Sequence, residues 1–348
     1  MRKSLRDISW LVTEETYRAD SAYSYSTIAK FDREGFDKLE TLFDRVDSPS
    51  LLFGSIVDTL LTDGYEAFEK LFFVAEFPEV SDKVKIIVDA LFGEYKNKYS
   101  TLNQIPTDII VAYTDSFEYQ KNWKPETRAK VIKEQGNEYY SLLYLAGDKR
   151  VINTELYQDA MACVDKLKSS EATRWYFMED SPFDDTTERL YQLKFKGSFD
   201  GIDLRIMADL ITVDHKNKII YPCDLKTSYK TEWNFYKSFY EWRYFIQAQL
   251  YAEIIRQNIE NDEYFKDFTI APYRFIVICN KTKCPLVWEY ADTFATEDIV
   301  YGKNGQYVCR NWRNIVKDLH YYLTETPVVP KDINITIPND LVKYLNNE

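Results

Sequence analysis

Asp209, Asp224 and Lys226 are the residues of this chain whose types and spacing could do chemistry. They fall in two apolar, β-branched runs, Ile206-Met207-Ala208-Asp209-Leu210-Ile211-Thr212-Val213 and Ile219-Ile220-Tyr221-Pro222-Cys223-Asp224-Leu225-Lys226-Thr227-Ser228. The polar cluster Asp214-His215-Lys216-Asn217-Lys218 separates them. Such a pair of runs around a polar cluster predicts a hairpin. A loop from His215 to Lys218, with Asp214 paired to Ile219, sets Asp209 directly across from Asp224. Opposed side chains share a face with Cβ atoms about 5 Å apart. The two-residue pleat puts Lys226 on that face too. Two carboxylates at this separation repel by about 3 kcal/mol at an effective dielectric of ~20. A divalent cation between them offsets the repulsion, and Lys226 adds a second positive charge. Oxygen-only ligation suits Mg2+ or Mn2+ rather than zinc. The competing reading is a solvated edge hairpin whose charges face water.

The stretch from Trp242 to Ile255 carries Phe245, Ile246, Leu250 and Ile254 at helical spacing. Gln247 and Tyr251, four apart, stand one above the other on a helix face. With Asp209, then Asp224-Leu225-Lys226, then Gln247-x-x-x-Tyr251 in this order, the chain resembles the PD-(D/E)xK nuclease superfamily. The likeness is to its RecE/RecB-type branch, the recombination exonucleases of phage type. The specific motifs lie between Asp209 and Tyr251, and the general likeness runs over roughly residues 17–325.

The resemblance implies an α/β fold, with a restriction-endonuclease-like mixed β-sheet core flanked by helices and a mostly helical N-terminal part. It implies a Mg2+-dependent deoxyribonuclease, an exonuclease that hydrolyses phosphodiester bonds at the ends of double-stranded DNA. In such an enzyme Asp209 and Asp224 hold Mg2+ or Mn2+ with the carbonyl oxygen of Leu225, Lys226 sits beside the attacking water, and Gln247 and Tyr251 position the strand. The branch further suggests 5′→3′ resection for recombination, a single-strand annealing or recombination protein as partner, and a homo-oligomer. Two other readings stay open. One is a catalytically altered nuclease-fold protein that serves as a DNA-binding or scaffolding module; the other is a related endonuclease.

Two positions depart from the family pattern. The run Ser48-Pro49-Ser50 starts a helix that carries Gly54, and the family's metal-binding His, four residues on, is here Asp58. Asp is a competent ligand for a hard cation, so Asp58 joins the candidate metal ligands. In Leu190–Gly197, the first expected strand of the core, Gln192 stands near a position where family members often have Glu, and it is left out of the candidate site. His215 and His320 have no partners at diagnostic spacing, which gives histidine general-base catalysis little support.

The charge balance sets limits on these readings. The net charge of −12 is unfavourable for phosphate binding in general, but a strand of DNA meets the local field. Between Arg189 and Arg243 ten basic residues face seven acidic ones, so the neighbourhood of the acid pair is the basic part of an acidic chain. Arg205, Lys230 and Arg243 are candidates for gripping a terminal phosphate. Five cysteines, Cys163, Cys223, Cys279, Cys284 and Cys309, show no C-x-x-C pair and do not match the spacing of the iron–sulfur cluster found in some RecB-like nucleases. Reduced thiols and no iron–sulfur cluster are expected. No apolar run approaches a membrane span, and no signal peptide is evident at the start. The expectation is a cytoplasmic location (the host cytoplasm if phage-encoded) without a membrane partner. Phosphate-cradling glycine loops are missing, which argues against an ATPase.

The expected organisation is a mainly helical region 1–180, a nuclease core 181–325 and a polar tail 326–348. Helices are predicted after Ser24, after Pro49 and after Thr154, where Leu156, Ala160, Cys163, Val164 and Leu167 share a face. Residues 64–149 read as mixed helix and loop. Ser181-Pro182 breaks the chain, Tyr273–Asn280 and Leu286–Tyr290 read as a strand pair, and Gln306–Leu323 as a final helix.

Overall fold

The hairpin forms in the predicted register. In the computed structural model, which describes residues 2–44, 47–179 and 186–325, strand Ile202–Asp214 turns through residues 215–218 into strand Ile219–Ser228, and Asp214 pairs with Ile219. Lys218 takes the left-handed backbone that closes the turn, at φ 55°, and Asp214 Oδ1 accepts the Asn217 amide at 2.9 Å. Four further strands complete one mixed sheet. In chain order the six are β1 (Thr187–Phe199), β2 (Ile202–Asp214), β3 (Ile219–Ser228), β4 (Thr269–Ile270), β5 (Arg274–Cys279) and β6 (Pro285–Glu289). The order across the sheet is β1-β2-β3-β5-β6, with β4 also pairing β3. β3 runs parallel to β4 and β5, and the other pairings are antiparallel.

A parallel pair needs a crossover, and the chain supplies it with two helices, Phe235–Glu241 and Tyr244–Glu260. The second is buried nearly all round, including Gln247, Gln249 and Tyr251, as expected of a helix inside a core. It lies so close to β1 that a Cβ at Gly197 would stand 2.6 Å from Ile254 Cδ1. The stretch before it is the short helix Phe235–Glu241, and Arg243 separates the two at φ 60°. Helices Tyr25–Glu34 and Trp312–Thr324 add to the same core through Ile28, Phe31, Trp312, Ile315 and Leu319.

The chain divides into two compact units, Met1–Gly54 with Ala162–Glu348, and Ser55–Met161. The first holds the sheet. The second is helical, built mainly from Asp82–Tyr95, Thr107–Ser116 and Pro125–Ala146. Its core includes Val84, Val88, Leu91, Ile132 and Tyr140. Gly136 allows the long helix to approach its neighbour, since a Cβ there would meet Val88 Cγ2 at 2.5 Å. The boundary expected at 180–181, the Ser181-Pro182 break and the tail 326–348 lie outside the described residues.

Three expectations are corrected. Residues 64–149 are far more helical than mixed, with one helix of 22 residues that opens on Pro125, a favourable first helical position. The helix at Thr154 is capped one residue earlier, because Asn153 Oδ1 accepts the Leu156 amide at 2.8 Å. The last helix starts at Trp312, not Gln306. Asn311 caps it by accepting the Arg313 amide at 3.1 Å, while Tyr307–Cys309 pairs as a strand with Ile299–Tyr301.

Candidate active site

Asp209 sits where the pairing of β2 with β1 is interrupted for one residue and its pairing with β3 ends. The β1–β2 ladder pairs Tyr191 with Leu210 and Leu193 with Ala208, skipping Gln192 and Asp209. Gln192 is left-handed there, at φ 53°. On the other side the β2–β3 ladder ends at Leu210 and Cys223, one pair short of Asp209 and Asp224. Beyond that point β3 pairs with β5. Leu204, Ile206 and Ala208, then Ile211 and Val213, all belong to one core, so the inward alternation of β2 shifts by one residue near Asp209. A strand that parts from its neighbour leaves backbone groups in need of partners. Asp209 supplies one: its Oδ2 accepts the Leu225 amide at 3.1 Å.

Asp224 is only 2% exposed. A buried carboxylate is costly unless paired and hydrogen-bonded, and both conditions are met. The Lys226 ammonium pairs with Asp224 Oδ2, and Gln247 Nε2 donates to Asp224 Oδ1. The two-residue pleat brings Lys226 alongside Asp224, and the crossover helix presents Gln247. Lys226 Nζ also lies 4.9 Å from the centre of the Tyr244 ring. Burial favours the neutral amine of Lys226, but the Asp224 carboxylate foremost, with Tyr244 and Asp209 beside it, outweighs burial and raises its pKa above the ordinary lysine range. Lys226 is therefore an ammonium across the physiological range, able to donate and to neutralise charge but not to take up a proton.

Tyr251, one turn after Gln247, is buried and meets Tyr273 edge-on, with ring centres 5.9 Å apart. Burial, then the nearby Tyr17, Asp224, Asp209 and Tyr25, holds its hydroxyl well above the usual phenol pKa. The same causes, burial foremost, act on Tyr25 and Tyr273, each of which feels Asp224. A shell of neutral tyrosines, Tyr25, Tyr244, Tyr251 and Tyr273, thus surrounds the acids. Sequence reasoning found Tyr251 alone among these. Tyr25 and Tyr273 come from segments remote in sequence with no spacing signal, although Tyr244 stands three residues before Gln247 and helix periodicity could have found it.

The first unit therefore gathers Asp209, Asp224, Lys226, Gln247 and Tyr251. Asp58 belongs to the second unit, at the end of helix Pro49–Asp58 and just before a π-helical turn, Thr59–Asp63. Gly54 of that helix belongs to the first unit, where a Cβ would lie 3.3 Å from Thr227 Oγ1. Two phosphate candidates are otherwise employed. Arg205 donates to the Asp20 carbonyl and lies 5.1 Å from the Tyr17 ring centre, and Arg243 pairs with Asp32 at 2.7 Å. Lys230 is exposed. His215 is held by Tyr264 and Glu188, and His320 by Tyr23.

Among the described residues no group of three or more His, Cys, Asp or Glu side chains is arranged to hold a metal ion. Mg2+ does not need one, because it keeps several waters and commonly takes one or two protein carboxylates plus substrate phosphate oxygens. Asp209 and Asp224, joined through the Leu225 amide and Lys226, fit that modest donor set and do not fit a closed zinc or calcium cage. The five cysteines are free thiols, and only Cys284 is exposed. No helix among the described residues is long and apolar enough to cross a membrane.

No protein-family model matches the sequence, and no curated protein matches it. A crystal structure from Eubacterium rectale, described as a "putative exonuclease", is similar in fold at a TM-score of 0.41 and 15% identity, over 82% of this chain and 80% of that chain. A likeness of that strength carries no functional weight.

Proposed function

We propose that this chain is a metal-dependent DNA exonuclease of the PD-(D/E)xK type that acts at duplex ends. The observation that carries the reading is the buried Asp224 carboxylate, bound at one oxygen by Lys226 and at the other by Gln247, beside Asp209 on the Leu225 amide. Asp209, Asp224 and the Leu225 carbonyl would hold Mg2+ or Mn2+, which would supply Lewis acidity toward water and the phosphate. Lys226 orients that water and neutralises the charge that develops on the phosphate oxygens. Gln247 fixes the rotamer of Asp224, and the neutral Tyr251 hydroxyl remains a donor for the strand. 5′→3′ polarity, a recombination role with an annealing partner, oligomerisation and a cytoplasmic site of action complete the reading.

The test is a linear duplex labelled at either end, incubated with and without Mg2+. Label release that requires the metal and is lost in Asp224→Ala supports the proposal; digestion that ignores both opposes it. One observation favours a second reading, a nuclease fold kept for binding: the described residues offer no third acidic side chain at the centre. Calorimetric titration with Mn2+ separates the two, since a binding module would take up no metal and would digest neither linear nor circular DNA.

A further inference from the structure

We propose that the segment leaving β3, from Tyr229 to Trp233, is a stacking platform for the bases of a nucleic-acid strand whose backbone reaches the Asp209–Asp224–Lys226 centre, an inference that rests on the nuclease reading for its occupant. Trp233 is 84% exposed and Tyr229 50%. Large aromatic faces left in water are a standard means of holding unpaired bases irrespective of sequence. These two are not on a loose loop. Ser228 Oγ accepts the Lys230 amide at 3.0 Å, the Thr231 carbonyl accepts the Asn234 amide at 2.9 Å, and Thr231 Oγ1 accepts Asn234 Nδ2 at 3.0 Å.

The anchor of the segment ties it to the acid centre. Phe235, fully buried two residues beyond Trp233, stacks on Tyr244 with ring centres 6.0 Å apart. Tyr244 is the ring that lies 4.9 Å from the Lys226 ammonium. Tyr229 directly follows the last residue of β3, three residues past Lys226. The segment is thus tied to the Lys226 ammonium both along the chain and through the Phe235 and Tyr244 rings.

Charge selects the occupant. Lys230, Lys237 and Lys281 are exposed around the platform. The nearby acid Glu232 faces the Thr282 hydroxyl at 3.5 Å, which also places the β5–β6 turn alongside. In a chain of net charge −12, exposed aromatics among lysines on the segment that leaves the acid-bearing strand suit a polyanion with flat bases better than an acidic protein surface.

The experiment measures anisotropy of a short fluorescein-labelled single-stranded DNA with the full chain in EDTA, so that no hydrolysis enters. Trp233→Ala is expected to weaken binding about tenfold and Trp233→Phe to restore most of it, because phenyl still stacks. Wild-type binding equal to that of Trp233→Ala, or no binding by the wild type, overturns the platform. The two readings fail separately. Metal-dependent digestion with unaltered binding by Trp233→Ala removes only the platform, whereas the tenfold difference without any digestion leaves a nucleic-acid-binding surface and removes the nuclease.

Discussion

Asp209 reaches across the gap between two parting strands to accept the Leu225 amide at 3.1 Å. One carboxylate thereby does two things: it replaces a ladder bond that β2 no longer makes, and it stands beside Asp224. These roles separate on substitution. Asp209→Asn keeps an acceptor for Leu225 and should leave the denaturant midpoint nearly unchanged, while Asp209→Ala should cost about 1–2 kcal/mol through the lost bond. Both should abolish metal-dependent digestion. Equal stability of the two variants would show that the Leu225 bond contributes little.

Lys226 is the partner that makes the buried Asp224 tolerable. Removing one member of a buried pair typically costs about 3–5 kcal/mol, so Lys226→Met should lower stability by an amount in this range. Its pH dependence has a definite sign. The folded pKa of Lys226 is raised, with burial opposing and Asp224 leading the groups that outweigh it. The stabilisation is therefore complete below the unfolded lysine pKa of about 10.4 and fades as pH rises past it toward the folded value. The stability gap between wild type and Lys226→Met should stay constant from about pH 7 to 9.5 and shrink above about pH 10.4. A gap that changes across neutrality would place its origin elsewhere.

Gln247 donates to Asp224 from the crossover helix, and it is 3% exposed. Gln247→Glu swaps that donor for an acid and should be the more harmful change, while Gln247→Ala removes it without adding charge. Digestion should fall by about 100-fold for Gln247→Ala, as for loss of a positioning donor, and further for Gln247→Glu. Circular dichroism spectra should stay native for Gln247→Ala. An alanine variant with wild-type kcat would remove Gln247 from the site.

Gly136 is a structural control in the second unit. Its added Cβ would come within 2.5 Å of Val88 Cγ2, an overpacking that costs about 1–3 kcal/mol. Gly136→Ala should lower Tm measurably, and an unchanged Tm would indicate that the helix pair yields easily.

What could be read from the sequence was whatever a short-range rule determines. The polar cluster 214–218 set the hairpin register, and the helical spacing of Phe245, Ile246, Leu250 and Ile254 located the helix that carries Gln247 and Tyr251. The local break at Asp209 was not legible, since nothing in the residues around Gln192 announces a left-handed backbone in a strand. Direct cross-strand pairing of Asp209 with Asp224 was therefore expected, where the structure has Asp209 bonded to the next amide along. The 22-residue helix Pro125–Ala146 was obscured by Gly136 and a run of tyrosines and polar residues. Tyr25 and Tyr273 reach the acids only through tertiary packing, which no spacing rule records. Tyr307–Cys309 is held as a strand partly by Tyr240, whose ring stacks on Tyr307 at 4.1 Å, and so the final helix starts later than its periodicity suggested.

The most direct measurement is digestion of an end-labelled linear duplex by wild type and Asp224→Asn, with Mg2+ present or chelated. Wild type should release terminal nucleotides only with the metal and Asp224→Asn should release none, with both proteins folded. Release by Asp224→Asn at the wild-type rate, or none by wild type with any divalent cation, would contradict the nuclease reading.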